Sequence, residues 1–144
     1  MRFALLVLAC LTLAGSQTAS AQVSIAPLGG FRTPSGNIHC EEWQIDAPRK
    51  TELRCDVIES NVPRKRRPAS CELDYGFAFM LSSHRRAWML CAGDTVADPA
   101  HTVLPYGKTW RGTGITCETS AARLRCVNTD GHGFELSRRG QRTF

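Results

Sequence analysis

Two stretches of this chain carry the same phrase. Ile38-His39-Cys40-Glu41 is answered by Leu53-Arg54-Cys55, and Ile115-Thr116-Cys117-Glu118 is answered by Leu124-Arg125-Cys126. Joining Cys40 to Cys55 and Cys117 to Cys126 across adjacent antiparallel strands sets Glu41 opposite Arg54 and Glu118 opposite Arg125. In each ladder the Ile and Leu share the cysteine face, while opposite charges meet on the other face. A slip by one residue would exchange the two faces, so the pattern selects a single register. The phrase predicts two disulfide-laced β-hairpins built on one plan.

The cysteine count agrees once the start of the chain is read as an export signal. Arg2 supplies a positive n-region, Ala4 to Ala14 is an apolar h-region too short to span a bilayer, and Ala19-Ser20-Ala21 is a small-residue cleavage site. Cleavage after Ala21 leaves 123 residues and removes Cys10, so that seven cysteines become six, an even set. It also leaves 17 Lys and Arg against 13 Asp and Glu, a net charge of +4. A lipoprotein modified at Cys10 is the competing reading, but apolar residues continue past that cysteine. No other segment is apolar enough to cross a membrane. Secretion to the periplasm or medium is the expectation, and it favours oxidised cysteines.

The remainder reads as a short tether, residues 22–30, and one disulfide-stabilised β domain, residues 31–144, with a real core at this length. Phe31 to Asn37 is read as a turn into the first hairpin, whose tip lies near Ala47-Pro48. Pro63 and Pro68 bracket Arg64-Lys65-Arg66-Arg67, and two prolines exclude a central strand, so this run is a surface loop. Tyr75, Phe77 and Phe79 alternate with small residues, and Ala87 to Leu90 returns after a turn at Ser82 to Arg85. That arithmetic leaves Cys71 out of register with Cys91 unless a bulge intervenes, as at Gly76. A four-residue turn at Ser120 to Arg123 closes the third hairpin, and Asp130-Gly131 leads into a last strand, Phe134 to Ser137. No ten-residue stretch has helical period with caps. The fold class is all-β: a small sandwich or open barrel of three disulfide-linked hairpins, Cys40–Cys55, Cys71–Cys91 and Cys117–Cys126, the middle pair assigned by elimination.

Catalytic chemistry is hard to find. There is no Cys-x-x-Cys pair, so bridges outweigh zinc ligation, and no metal or cofactor is expected. His39 shares a hairpin face with Glu41 and lies opposite Asp56, where a cross-strand hydrogen bond would account for it. Asp94, Asp98 and His101 form a loop trio that can hold a cation or act in acid–base chemistry, though turn capping explains both aspartates. Glycines flank His132, which calls for close approach of a ligand or of another strand. Tyr106 and Trp110 lie in a Gly-rich loop and are candidates for a partly exposed contact surface. Arg64, Lys65, Arg66 and Arg67, with Arg85-Arg86 and Arg138-Arg139, can address anionic surfaces. With no aromatic neighbours at the basic run, polyanion binding there should be weak, without specific nucleic-acid recognition.

Taken together, Pro34-Ser35-Gly36-Asn37-Ile38-x-Cys40, Cys91-Ala92-Gly93-Asp94-Thr95, Leu104-Pro105-Tyr106-Gly107 and Asn128-x-x-Gly131-His132-Gly133-Phe134-x-Leu136-Ser137-Arg138 resemble a family of small secreted bacterial proteins catalogued as a domain of unknown function. The resemblance spans Phe31 to Phe144 and implies export, three disulfides and a single domain. It carries no activity. It differs in the heavily basic Pro63 to Pro68 segment. The leading functional expectation is a monomeric, non-catalytic binding module of the cell envelope. Its alternatives are an inhibitor of a secreted enzyme and, behind that, a small hydrolase using Asp94, His101 and His132.

Overall fold

Every regular element among the described residues is a β-strand, as the alternating patterns and the absence of capped helical periods require. The computed structural model describes residues 25–45 and 50–144, so the signal segment and the Ala47-Pro48 hairpin tip lie outside the described residues. Strands β1 (Ile25–Arg32), β2 (Ile38–Ile45), β3 (Thr51–Val57), β4 (Ala78–Ser82), β5 (Trp88–Met89) and β6 (Thr102–Val103) form one sheet in the order β5-β4-β3-β2-β1-β6. Strands β7 (Thr109–Arg111), β8 (Ile115–Thr119), β9 (Leu124–Asn128), β10 (Gly133–Ser137) and β11 (Gly140–Thr143) form a second, in the order β11-β10-β9-β8-β7. Neither sheet closes into a barrel. Their inner faces share one core, with Phe31, Ile38, Leu53, Phe79 and Leu81 from the first and Ile115, Leu124, Phe134 and Leu136 from the second. The rings of Phe79 and Phe134 meet across the interface at 6.2 Å.

Both repeated phrases fold in the register they predict. Cys40 faces Cys55 with Glu41 opposite Arg54, and Cys117 faces Cys126 with Glu118 opposite Arg125. All three bridges stay within one unit, with Cα separations of 4.1 Å (Cys40–Cys55), 5.7 Å (Cys71–Cys91) and 4.0 Å (Cys117–Cys126). The middle unit needs the irregularity its arithmetic demands. Phe79 pairs with Met89 in the β4–β5 ladder, but beyond it Asp74 pairs with Ala92, so that four residues, Tyr75 to Ala78, lie opposite two, Leu90 and Cys91. Gly76 sits at the bend with φ +86°, a conformation that suits glycine.

The structure corrects three readings. Ile25 to Gly30 are not tether: they belong to β1, which pairs antiparallel with β2 and parallel with β6, with a register shift between Pro27 and Gly29. A backbone ladder needs no side-chain alternation, so a Gly/Pro-containing stretch can supply it. The strand after Asp130-Gly131 is not the last, because β11 pairs with β10 from Phe134↔Thr143 to Ser137↔Gly140. Finally, neither cross-strand charge pair forms. Arg54 turns to Asp56 and Asp94, and Arg125 turns to Glu135.

Candidate ligand-binding cleft

Three turns meet at one end of the sandwich. The β1–β2 turn is closed by Gly36 N–H donating to the Thr33 carbonyl and Thr33 N–H to that of Ile38. Asn37 fastens it to the end of β3: its Nδ2 donates to the Glu59 carbonyl at 3.1 Å and its Oδ1 accepts the Glu59 N–H at 2.9 Å. In the β8–β9 turn the Ser120 hydroxyl accepts the Arg123 N–H, and in the two-residue β10–β11 turn the Ser137 hydroxyl accepts those of Arg139 and Gly140. Asn61 N–H donates to the Arg138 carbonyl at 2.7 Å, tying that last turn to the chain leaving the first sheet. Serine hydroxyls spent on their own turns hold the backbone in place.

Between these turns lies a cleft of about 510 Å³, floored by Ile38, Leu124 and Leu136 and bordered by Tyr106, which is 46% exposed, with Arg123, Arg138 and Arg139 on its walls. A second depression of about 330 Å³ adjoins it and is lined by Glu135, Gln141 and Arg142. Arg123 and Arg139 line both.

The electrostatics are lopsided. The β9–β10–β11 register sets Arg125, Glu135 and Arg142 in a row across the outer face. Glu135 accepts from Arg142 Nε at 2.9 Å and Arg125 Nε at 3.2 Å, with Arg123 at 3.4 Å. Partial burial opposes ionisation of its carboxyl, but Arg142, Arg123 and Arg125 outweigh that and hold it below the usual carboxylate range. One carboxylate thus answers three guanidiniums. Phe144 lies beneath Arg125 and Arg142, 4.8 and 5.3 Å from ring centre to guanidinium carbon. Arg138 pairs with Glu59 at 2.7 Å, whereas Arg139 has no ion-pair partner among the described residues.

The other candidates are dispersed. Asp94 is drawn to Arg54: Arg54 donates from NH1 to Asp94 Oδ1 at 2.9 Å and from NH2 to the Asp94 carbonyl at 2.6 Å. That guanidinium lowers the Asp94 carboxyl below its ordinary range. Asp98 caps its own turn through Ala100 N–H, at 2.7 Å. His101 packs beside Gly30, its ring 6.0 Å from that of His39. The expected bond between His39 and Asp56 does not form. Asp56 takes Arg54 and the Val96 N–H, while His39 donates from Nε2 to the Gly36 carbonyl and accepts the Asp98 N–H at Nδ1, which assigns the neutral Nε2–H tautomer. No hydrogen bond, ion pair or ring contact joins His132 to Asp94 or His101 among the described residues, and no three His, Cys, Asp or Glu there are grouped to hold a metal.

The glycines around His132 serve the backbone: a side chain at Gly133 would collide with the Cys126 carbonyl, and Gly131 takes a φ of +80° in the turn before it. Trp110 stacks on Phe31 at 5.1 Å and packs against the core. The run Arg64 to Arg67 is an exposed loop, but not a free one. Arg64 lies over Phe77 at 5.3 Å and Arg67 donates to the Glu72 carbonyl at 3.1 Å. The aromatic neighbour that the sequence hid is supplied by the chain folding back.

Of the sequence candidates, Tyr106 and the Arg138-Arg139 pair therefore reach the cleft. Arg123 and Arg142 escaped attention because they are isolated in sequence. The signal was there in Arg125 on β9, facing Glu135 and then Arg142 once β11 is recognised, with Arg123 two residues earlier in the β8–β9 turn reaching the same carboxylate. A family model described as a family of unknown function (DUF6636) matches residues 5–144. The chain belongs to this family. No curated protein and no solved structure matches it. Family membership thus adds no activity, and the cleft must be interpreted from its own residues.

Proposed function

We propose that the protein is an exported, non-catalytic binding module of the cell envelope, and that its ligand sits in the cleft bordered by Tyr106, Arg123 and Arg139. The observation that carries this reading is the cleft itself. A recess of about 510 Å³, within the usual range of small-ligand sites of about 300–1,000 Å³, is built from turns of both sheets and buttressed by side-chain-to-backbone bonds. Three disulfides support an oxidising compartment. No helix among the described residues is long and apolar enough to cross a membrane.

Titration of the oxidised protein against fractionated envelope polymers, beside a Tyr106→Ala variant, tests the reading. Saturable binding weakened by the substitution, with the ligand recovered unchanged, is the expected result. Release of cleavage products would replace the module with an enzyme, and binding indifferent to Tyr106 would move the ligand elsewhere.

A further inference from the structure

We infer that the two depressions form one anion-binding track, and that its ligand is an acidic polysaccharide whose oxyanion groups are held by Arg123 and Arg139. The inference rests on the cleft being the ligand seat, and adds to it the chemistry of the ligand.

Three observations carry it. First, Arg123 and Arg139 line both depressions, so the recesses of about 510 and 330 Å³ meet at a pair of guanidiniums. A ligand long enough to occupy both must pass them. Second, the track is under-neutralised. Arg123, Arg138, Arg139 and Arg142 line it against the single lining carboxylate Glu135, whose charge is already shared with Arg125. Even with Glu59 counted against Arg138, positive charge is in excess, and Arg139 stands at the junction without an ion-pair partner among the described residues. Third, the lining cations are all arginine. A guanidinium fork meets a carboxylate or sulfate in two parallel hydrogen bonds, a geometry the lysine ammonium cannot offer.

The shape favours a chain over a small anion. The cations stand out from the walls, with the side chains of Arg123, Arg138 and Arg142 51%, 48% and 63% exposed, so they line an open trough and enclose no cavity. A sugar chain suits it better than a nucleic acid. Tyr106 offers an exposed ring against which one sugar face can lie, whereas a single strand of nucleic acid calls for a series of stacking platforms.

The test uses the full oxidised protein, with polygalacturonate as a carboxylated chain, dextran sulfate as a sulfated one, neutral dextran, and duplex DNA. Binding is measured at low and physiological salt for the native protein, for Tyr106→Ala, for Arg123→Gln with Arg139→Gln, and for Arg64, Lys65, Arg66 and Arg67 all changed to serine. The native protein is expected to bind one or both acidic glycans, more weakly at the higher salt. The double arginine variant, whose thermal unfolding should match the native protein's, is expected to lose at least about tenfold in affinity, as removal of charge-assisted bonds predicts. The serine variant should keep its affinity. Polygalacturonate alone, or dextran sulfate alone, would identify the oxyanion as carboxylate or sulfate.

Loss in the serine variant with none in the arginine variant would place anion binding on the loop and overturn the track. Equal or tighter binding of duplex DNA would overturn the glycan assignment. Neutral dextran bound in a Tyr106-dependent, arginine-independent way would sink the anion proposal and leave the cleft reading standing. Ligands unaffected by Tyr106 and by both arginines would sink the two together.

Discussion

The two hairpins that share a sequence phrase put the same arginine to opposite uses. Arg54 and Arg125 each precede the second cysteine of their hairpin, each lies opposite a glutamate, and each faces away from the bridge. Yet the Arg54 side chain is 5% exposed and that of Arg125 is 41% exposed. The difference comes from what covers the outer face. Both β3 and β9 are interior to their sheets, but the loop after Cys91 folds across β3, so that Asp94 and the Val96 N–H close over Arg54 and Asp56. On β9 the same face looks outward over Phe144 and Glu135. A register is a property of two strands. The partner an outward side chain finds depends on the third segment to arrive.

The largest effect should come from removing the arginine that is covered. Arg54→Ala leaves the fully buried Asp56 carboxylate with the Val96 N–H but no guanidinium, and uncompensated buried charge costs about 3–5 kcal/mol. Arg125→Ala, at an exposed pair, should cost less than about 1 kcal/mol. Urea unfolding of both variants checks the contrast, and similar losses would break it. Replacing both members, Arg54→Met with Asp56→Leu, should recover much of the loss, because the damage lies in the orphaned charge more than in the missing attraction.

The bridges should differ less than the arginines. Cys40–Cys55 closes a separation of 15 residues and Cys117–Cys126 one of 9. On chain entropy, opening either costs about 2–4 kcal/mol, and the longer loop about 0.5 kcal/mol more than the shorter. Paired Cys→Ala variants compared by thermal unfolding measure this. A reversed order would show that packing around the buried sulfurs outweighs loop length.

What was legible in the sequence follows the same division between ladder and cover. The Cys-Glu and Arg-Cys phrases specify register because alternation and pairing act between neighbours on two strands. All-β class, the Cys40–Cys55 and Cys117–Cys126 bridges and the need for a bulge near Gly76 follow from such local arithmetic, whereas Cys71–Cys91 follows only by elimination. β1 was hidden because its pairing is carried by backbone, and residues such as Leu28, Gly29 and Gly30 leave no alternating trace. The cleft was hidden for another reason. Ser35, Tyr106, Arg123 and Arg139 come from four segments distant in the chain, and only the packing of two sheets brings their turns to one end. The run of four basic residues drew attention by adjacency, while the arginines that gather in space are spread from position 123 to position 142.

Acid should separate the two arginines by a smaller margin. Asp94, bonded to Arg54, and Glu135, beside Arg142, Arg123 and Arg125, both have carboxyls held below their ordinary range. A carboxyl whose pKa is lower folded than unfolded adds stability that is fully present above the unfolded value, near 4. That stability is lost as pH falls through the folded value. Asp94→Asn and Glu135→Gln should each destabilise at neutral pH and flatten the decline in unfolding midpoint below about pH 4. The Glu135 effect should also shrink in molar salt, because its partners are exposed, whereas the buried Arg54–Asp56 pair should respond little. A decline unchanged in both variants would remove these ion pairs from the acid response.

The smallest effect is the one the sequence would rank highest. Glu41 faces Arg54 and Glu118 faces Arg125, the opposite charges that first commend the register, but neither glutamate bonds the arginine across from it. Arg54 has two aspartates to hold it, and Arg125 is shared between Glu135 and the Phe144 ring. Glu41→Gln and Glu118→Gln should therefore each change stability by less than about 0.5 kcal/mol, as surface substitutions away from a bonded network do. A double-mutant cycle between Glu41 and Arg54 isolates the pair from everything else that Arg54 holds. Its coupling energy should fall within the roughly 0.3–0.5 kcal/mol that independent sites show. A coupling of about 1 kcal/mol or more would mean that the facing charges attract without a direct bond, and that the repeated phrase encodes energy as well as register.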